Sequence, residues 1–123
     1  KGAISAEANK ATYERIQFTS NLDLCKADLV IEAIIENVAV KKDLFNKLAA
    51  LNGSKTIYAS NTSSISINSL AEEFMYPHQF AGMHFFNPAP IMKLVEIIQG
   101  AQTDPNIIAV LVGVAKQMKK IPV

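Results

Sequence analysis

Tryptophan is absent, cysteine occurs once and glycine only five times in 123 residues. The single cysteine, Cys25, excludes an internal disulfide framework and fits a reducing compartment. The glycines are widely spread and form no phosphate-cradling loop. No apolar run approaches the length that spans a bilayer, because Asp28, Glu32 and Glu36 interrupt the most hydrophobic stretch. An excess of one charge is missing as well. Twelve basic and eleven acidic side chains leave a net charge of +1, which points to neither a nucleic acid nor an anionic membrane as partner. His78 and His84 have no Cys or His at ligand spacing, which speaks against a metal centre. No Gly-x-Ser-x-Gly elbow marks a serine hydrolase. There is no initiator Met, Lys1 to Ile4 lack the apolar segment of a signal peptide, and Lys120 to Val123 stop as an apolar segment begins. The chain is therefore expected to be cut short at both ends.

Half the residues are apolar and 19% are charged, an ordinary balance for one soluble core. Ser5 to Ile16 can form a helix capped by Ser5. Ala27 to Ile35, nearly continuous in apolar residues, suits a parallel strand covered on both faces. Val38, Leu44, Phe45, Leu48 and Leu51 recur at helical spacing, and Gly53 is a good stop. Thr56 to Ala59 reads as a strand, Ser66 to Phe74 as a helix, and Phe80 to Phe86 and Leu94 to Ile98 as two further strands. A last helix runs from Asp104 through Val110, Val114 and Met118. This order predicts an α/β sheet, mostly parallel, with ligands beyond the carboxyl ends of the strands.

Three predicted strand ends carry polar clusters expected on one rim: Glu32 to Lys41, Ser60 to Ser64, and His84 to Asn87. Each has a bland reading. The serine run can be turn and capping chemistry. Glu36-Asn37 with Lys41-Lys42 can be a solvated first helical turn. His84 can be a hydrogen-bonded core histidine. Their coincidence favours a site.

Glu96 sharpens that reading, because it interrupts the apolar strand Leu94-Val95-Glu96-Ile97-Ile98. A carboxylate is costly to bury without a partner, and if the two strands are neighbours the nearest candidate is the His84 imidazole. A histidine held by a carboxylate on one nitrogen has a fixed tautomer and can act as general base toward an alcohol. The alternative is a buried pair that merely joins two strands.

Asp28-Leu29-Val30-Ile31-Glu32-Ala33 with Glu36-Asn37 and Lys41-Lys42, Ala59-Ser60-Asn61-Thr62-Ser63-Ser64, Gly82-Met83-His84-Phe85-Phe86-Asn87-Pro88, and Met92-Lys93-Leu94-Val95-Glu96 follow one another in order. Together they resemble the nucleotide-binding domain of the 3-hydroxyacyl-CoA dehydrogenases, over essentially the whole chain. The run Asn87 to Lys93 looks most like the 3-hydroxybutyryl-CoA branch. The resemblance implies a partial Rossmann-like, doubly wound fold, NAD as cofactor and an acyl-CoA as substrate. It implies His84 as the base for the C3 hydroxyl, Glu96 as its partner, and Ser63 against the substrate oxygen and beside the nicotinamide. Glu36 and Lys41 would match cofactor-ribose and nicotinamide-side contacts, with Asn61 and Asn87 shaping the pocket. The glycine-rich first βαβ unit and a helical, dimerising C-terminal domain would lie outside these residues. The chain alone is thus expected to turn over little or nothing, within a homodimeric parent. A bacterial cytoplasm is the expected location, or a mitochondrial or peroxisomal matrix in a eukaryote. Two rivals stand beside this reading: a catalytically inert relative, and a binding module of the same fold.

Overall fold

The computed structural model describes residues 4–123. Of the N-terminal segment considered above, Lys1–Ala3 lie outside the described residues. Helix α1 (Ala6–Glu14) begins where the Ser5 hydroxyl accepts the Ala8 amide, and it buries none of its side chains. Strand β1 (Leu29–Glu32) leads into α2 (Val38–Asn52), whose first turn is capped by Asn37. Gly53 ends α2 at φ 79°, a left-handed conformation that suits glycine. Strand β2 (Ile57–Ser60), helix α3 (Ile67–Ala71), strands β3 (Phe80–Phe85) and β4 (Leu94–Gln99), helix α4 (Pro105–Gln117) and the short β5 (Ile121–Pro122) complete the chain.

The five strands lie in the order β1-β2-β3-β4-β5. β1, β2 and β3 run parallel, β4 pairs antiparallel with β3, and β5 returns parallel to β4. Alternation along β2 and β3 separates two cores. Tyr58 and Phe80 face α2 and α3, where Leu70 packs beside them and Phe45 and Phe74 join them in edge-to-face contacts with ring centroids 4.7–6.1 Å apart. Ile57, Ala59, Ala81 and Met83 face the other way, onto Ile107, Leu111 and Ala115 of α4. Both faces are covered, which explains why these strands read as continuous apolar runs. The architecture is α/β, Rossmann-like and mostly parallel.

Most element ends shift by one or two residues from the sequence expectation; two ends shift further and one strand is added. β1 stops at Glu32 rather than Ile35, because the Glu32 carboxylate accepts the Ile34 amide at 2.6 Å and turns the chain. α3 ends at Ala71 rather than Phe74: Glu72 is extended and Glu73 sits at φ 63°, which folds Phe74 back onto the aromatic core. β5 was not anticipated. Lys119 at φ 59° reverses the chain after α4, and the Ile121 amide donates to the Lys93 carbonyl at 2.8 Å. Among the described residues no helix is long and apolar enough to cross a membrane.

Candidate active site

Parallel pairing of β1, β2 and β3 brings the three polar clusters to one rim. Asn61, just past β2, ties its neighbours together. Its amide donates to the Glu32 carbonyl at 2.8 Å, and its Oδ1 accepts the Phe85 amide at 2.7 Å. The serine segment is thus bonded to β1 on one side and to the end of β3 on the other.

His84 and Glu96 face each other directly across the antiparallel β3–β4 ladder, with Nδ1 and Oε2 2.7 Å apart. Only one residue in two along β3 points to the α3 side, and His84 is in phase with Phe80 and Gly82. The sequence suggested a buried carboxylate, but the Glu96 side chain is 45% exposed while that of His84 is 15% exposed. The difference arises because this end of β4 borders a cleft instead of a helix. Phe86 packs a tilted ring 4.7 Å from the imidazole centroid. With Nδ1 engaged, Nε2 is the nitrogen left for chemistry.

The cleft encloses about 590 Å³. Residues 62–66 form a wall rich in hydroxyls, His84 and Glu96 line it as well, and Ile97, Ile98 and Val123 supply apolar surface. Ser63 lies on the hydroxyl wall and is exposed. Its amide, 3.1 Å from Glu36 Oε1, is one of several donors to that oxygen: the Thr62 hydroxyl donates to it, as do the Ser64 amide and hydroxyl at 3.3 and 3.2 Å. The Thr62 hydroxyl above all, then the Lys41 ammonium and the two amides, hold the Glu36 carboxyl down at about 2 despite opposing desolvation.

Lys41 is buried, and its ammonium donates to Glu32 at 2.6 Å and to the Ile34 carbonyl at 3.2 Å, 3.3 Å from Glu36 Oε2. Neither Lys41 nor Glu36 lines the cleft; they connect to it through residues 62–64, which bond to the Glu36 carboxylate. The Asn61 oxygen is committed to Phe85, and Asn87 is exposed on the loop after β3, ahead of a cis bond to Pro88. Neither asparagine lines the cleft. Sequence reasoning placed Glu32, Ser60 and Thr62 inside polar clusters but gave none of them a role of its own; all three are buried in this network. The available signal was Glu32 itself, a carboxylate ending an apolar strand. Among the described residues no cluster of three or more His, Cys, Asp or Glu side chains could hold a metal ion.

The sequence profile of the family described as "3-hydroxyacyl-CoA dehydrogenase, NAD binding domain" matches residues 1–123. The 3-hydroxyadipyl-CoA dehydrogenase of Escherichia coli K12 is 44% identical over all of this chain and 26% of its own. Human mitochondrial hydroxyacyl-coenzyme A dehydrogenase is 48% identical over 78% of this chain and 31% of its own. The crystal structure of 3-hydroxybutyryl-CoA dehydrogenase from Escherichia coli K12 superposes with a TM-score of 0.92 at 44% identity, covering 99% of this chain and 26% of that one. The chain thus spans about a quarter to a third of the length of these relatives. Matched by the profile from first residue to last, it belongs to the 3-hydroxyacyl-CoA dehydrogenase family, as an NAD binding domain.

Proposed function

We propose that this chain forms the catalytic part of an NAD-dependent enzyme that oxidises (3S)-3-hydroxyacyl-CoA to 3-oxoacyl-CoA. The observation that carries the reading is the 2.7 Å His84–Glu96 pair lining a cleft walled by hydroxyls. Glu96 fixes the imidazole with Nδ1 toward itself, so that Nε2 takes the proton of the C3 hydroxyl. Ser63 donates a hydrogen bond to the same substrate oxygen. In the reverse direction His84 returns the proton to the forming alkoxide.

The donor set fits the nicotinamide end of NAD. Glu36 is ionised and 38% exposed, with the Lys41 ammonium 3.3 Å from Oε2, and it can accept ribose hydroxyls. Lys41 holds that carboxylate in place, and Asn61 and Asn87 shape the surrounding rim. When bound, NAD accepts the hydride from C3. The pyrophosphate end is different. With no glycine-rich loop among its five glycines, the chain depends on residues outside it for that contact. We place these in a preceding βαβ unit, and the dimer contacts in a following helical domain, of a native homodimer in the bacterial cytoplasm.

Relatives named for a 3-hydroxyadipyl substrate in Escherichia coli and for a 3-hydroxybutyryl substrate in Deinococcus radiodurans are both 44% identical to this chain. The acyl length is therefore left to the assay, which is NADH oxidation with acetoacetyl-CoA and longer 3-oxoacyl-CoA esters. The native full-length protein is expected to turn over, and the 123-residue chain alone to show little or no activity. Failure of every ester in the native protein would instead favour an inert relative or a binding module.

A further inference from the structure

The Glu32 carboxylate is buried at the end of an apolar strand, yet it touches nothing in the cleft. Oε1 accepts the Lys41 ammonium and Oε2 the Ser60 hydroxyl, each at 2.6 Å. From these two oxygens run two arms. Along the first, Lys41 leads to Glu36, and Glu36 to the Thr62 hydroxyl and to the amides of Ser63 and Ser64. Along the second, the Ser60 hydroxyl accepts the Thr62 amide at 3.3 Å. The arms meet at Thr62 and close a ring: Glu32, Lys41, Glu36, Thr62, Ser60. It joins the ends of β1 and β2 to the first turn of α2, and its outer side holds the segment that carries Ser63 to the cleft.

An apolar cluster would join two strand ends as well, and replacing a buried ion pair by apolar groups is often neutral or stabilising. Adhesion alone does not explain a buried ammonium between two carboxylates. The ring does something that methyl groups cannot: it presents one oriented carboxylate oxygen to donors from three successive residues, 62 to 64. Lys41 occupies the other side of that carboxylate and fixes its rotation. Without Lys41, Glu36 is free to turn toward water, and the serine segment loses its common acceptor.

We propose that Glu32 and Lys41 are positioning residues, which through Glu36, Thr62 and Ser60 set Ser63 at the cleft it shares with His84. The link to turnover rests on the dehydrogenase reading above. The placement of the segment does not.

The test uses the native full-length protein with Glu32→Gln and Lys41→Met together, which removes both members of the buried pair. If the ring positions the segment, amide exchange at Ser63 and Ser64 accelerates by about tenfold or more while the thermal midpoint stays close to wild type. The kcat then falls by about 10- to 100-fold, the scale of a misplaced catalytic group, with KM for the acyl-CoA within about twofold. Wild-type exchange at both amides overturns the proposal. Fast exchange at the wild-type kcat also overturns it, by reducing the ring to a structural staple. Ser60→Ala cuts the second arm without touching a charge, and its exchange rates and kcat decide the matter if the double variant does not fold. Absence of turnover in the wild type would remove the dehydrogenase reading, and the exchange rates would still report on the ring.

Discussion

The Glu36 carboxylate, bonded to the Thr62 hydroxyl, the Lys41 ammonium and two backbone amides, has its pKa held at about 2, below its ordinary 4.5. The sign of its effect on stability follows. In the unfolded chain the group takes up its proton first as the pH falls, so its contribution is complete above about 4.5 and is lost as the pH drops toward 2. Removing it should flatten that part of the stability curve. Denaturant midpoints of wild type and Glu36→Gln, measured between pH 6 and pH 2, are expected to converge as the solution becomes acid. A constant gap across the range would show that Glu36 does not titrate against this network. The His84–Glu96 pairing was legible because Glu96 interrupts an apolar strand that follows the one carrying His84, although the carboxylate borders the cleft and is not buried as the sequence suggested. Glu32 and Lys41 could not be paired in the same way. They are joined only because Glu32 turns the chain onto Ile34, so that the first turn of α2 folds back over the end of β1.

Among the elements, the approach of α3 to the sheet depends on Gly82. A Cβ there would lie 2.9 Å from Ile67 Cδ1 and 2.8–2.9 Å from Ile98, too close for either side chain to stay in place. Ile67 is the first residue of α3 and directly follows the serine segment and its Ser66 cap, so pressure at Gly82 reaches the hydroxyl wall of the cleft. Gly82→Ala is expected to cost about 1–3 kcal/mol in thermal or chemical unfolding, as overpacking does, and to lower turnover. An unchanged unfolding midpoint would mean that α3 yields freely. Helices α2 and α4 were legible from periodicity and capping residues, and β2 and β3 from their apolar runs. The early end of α3 rests on the left-handed Glu73, and glutamate carries no sequence signal for that conformation. β5 is two residues long, too short for any period to show, and exists because β4 offers it a free edge.

At the scale of the molecule, three parallel strands deliver polar clusters to one rim, and the antiparallel turn into β4 adds the carboxylate partner of the histidine. A fourth parallel strand reached by a crossover would not place residue 96 opposite residue 84, so the one reversal in the sheet creates the pair. The same layout divides the work of binding. In our proposal this chain supplies the chemistry and the nicotinamide-side rim, and residues outside it supply the pyrophosphate contact. Dinucleotide affinity and turnover should therefore respond to different substitutions.

His84→Gln in the native full-length protein tests this most directly, with acetoacetyl-CoA-dependent NADH oxidation and NADH binding measured on the same sample. The account predicts a loss of turnover of about 10²–10⁴-fold, the usual contribution of a general acid–base group, with the dissociation constant for NADH within about twofold of wild type. Turnover that survives the substitution would contradict the assignment of His84 as the group that moves the proton.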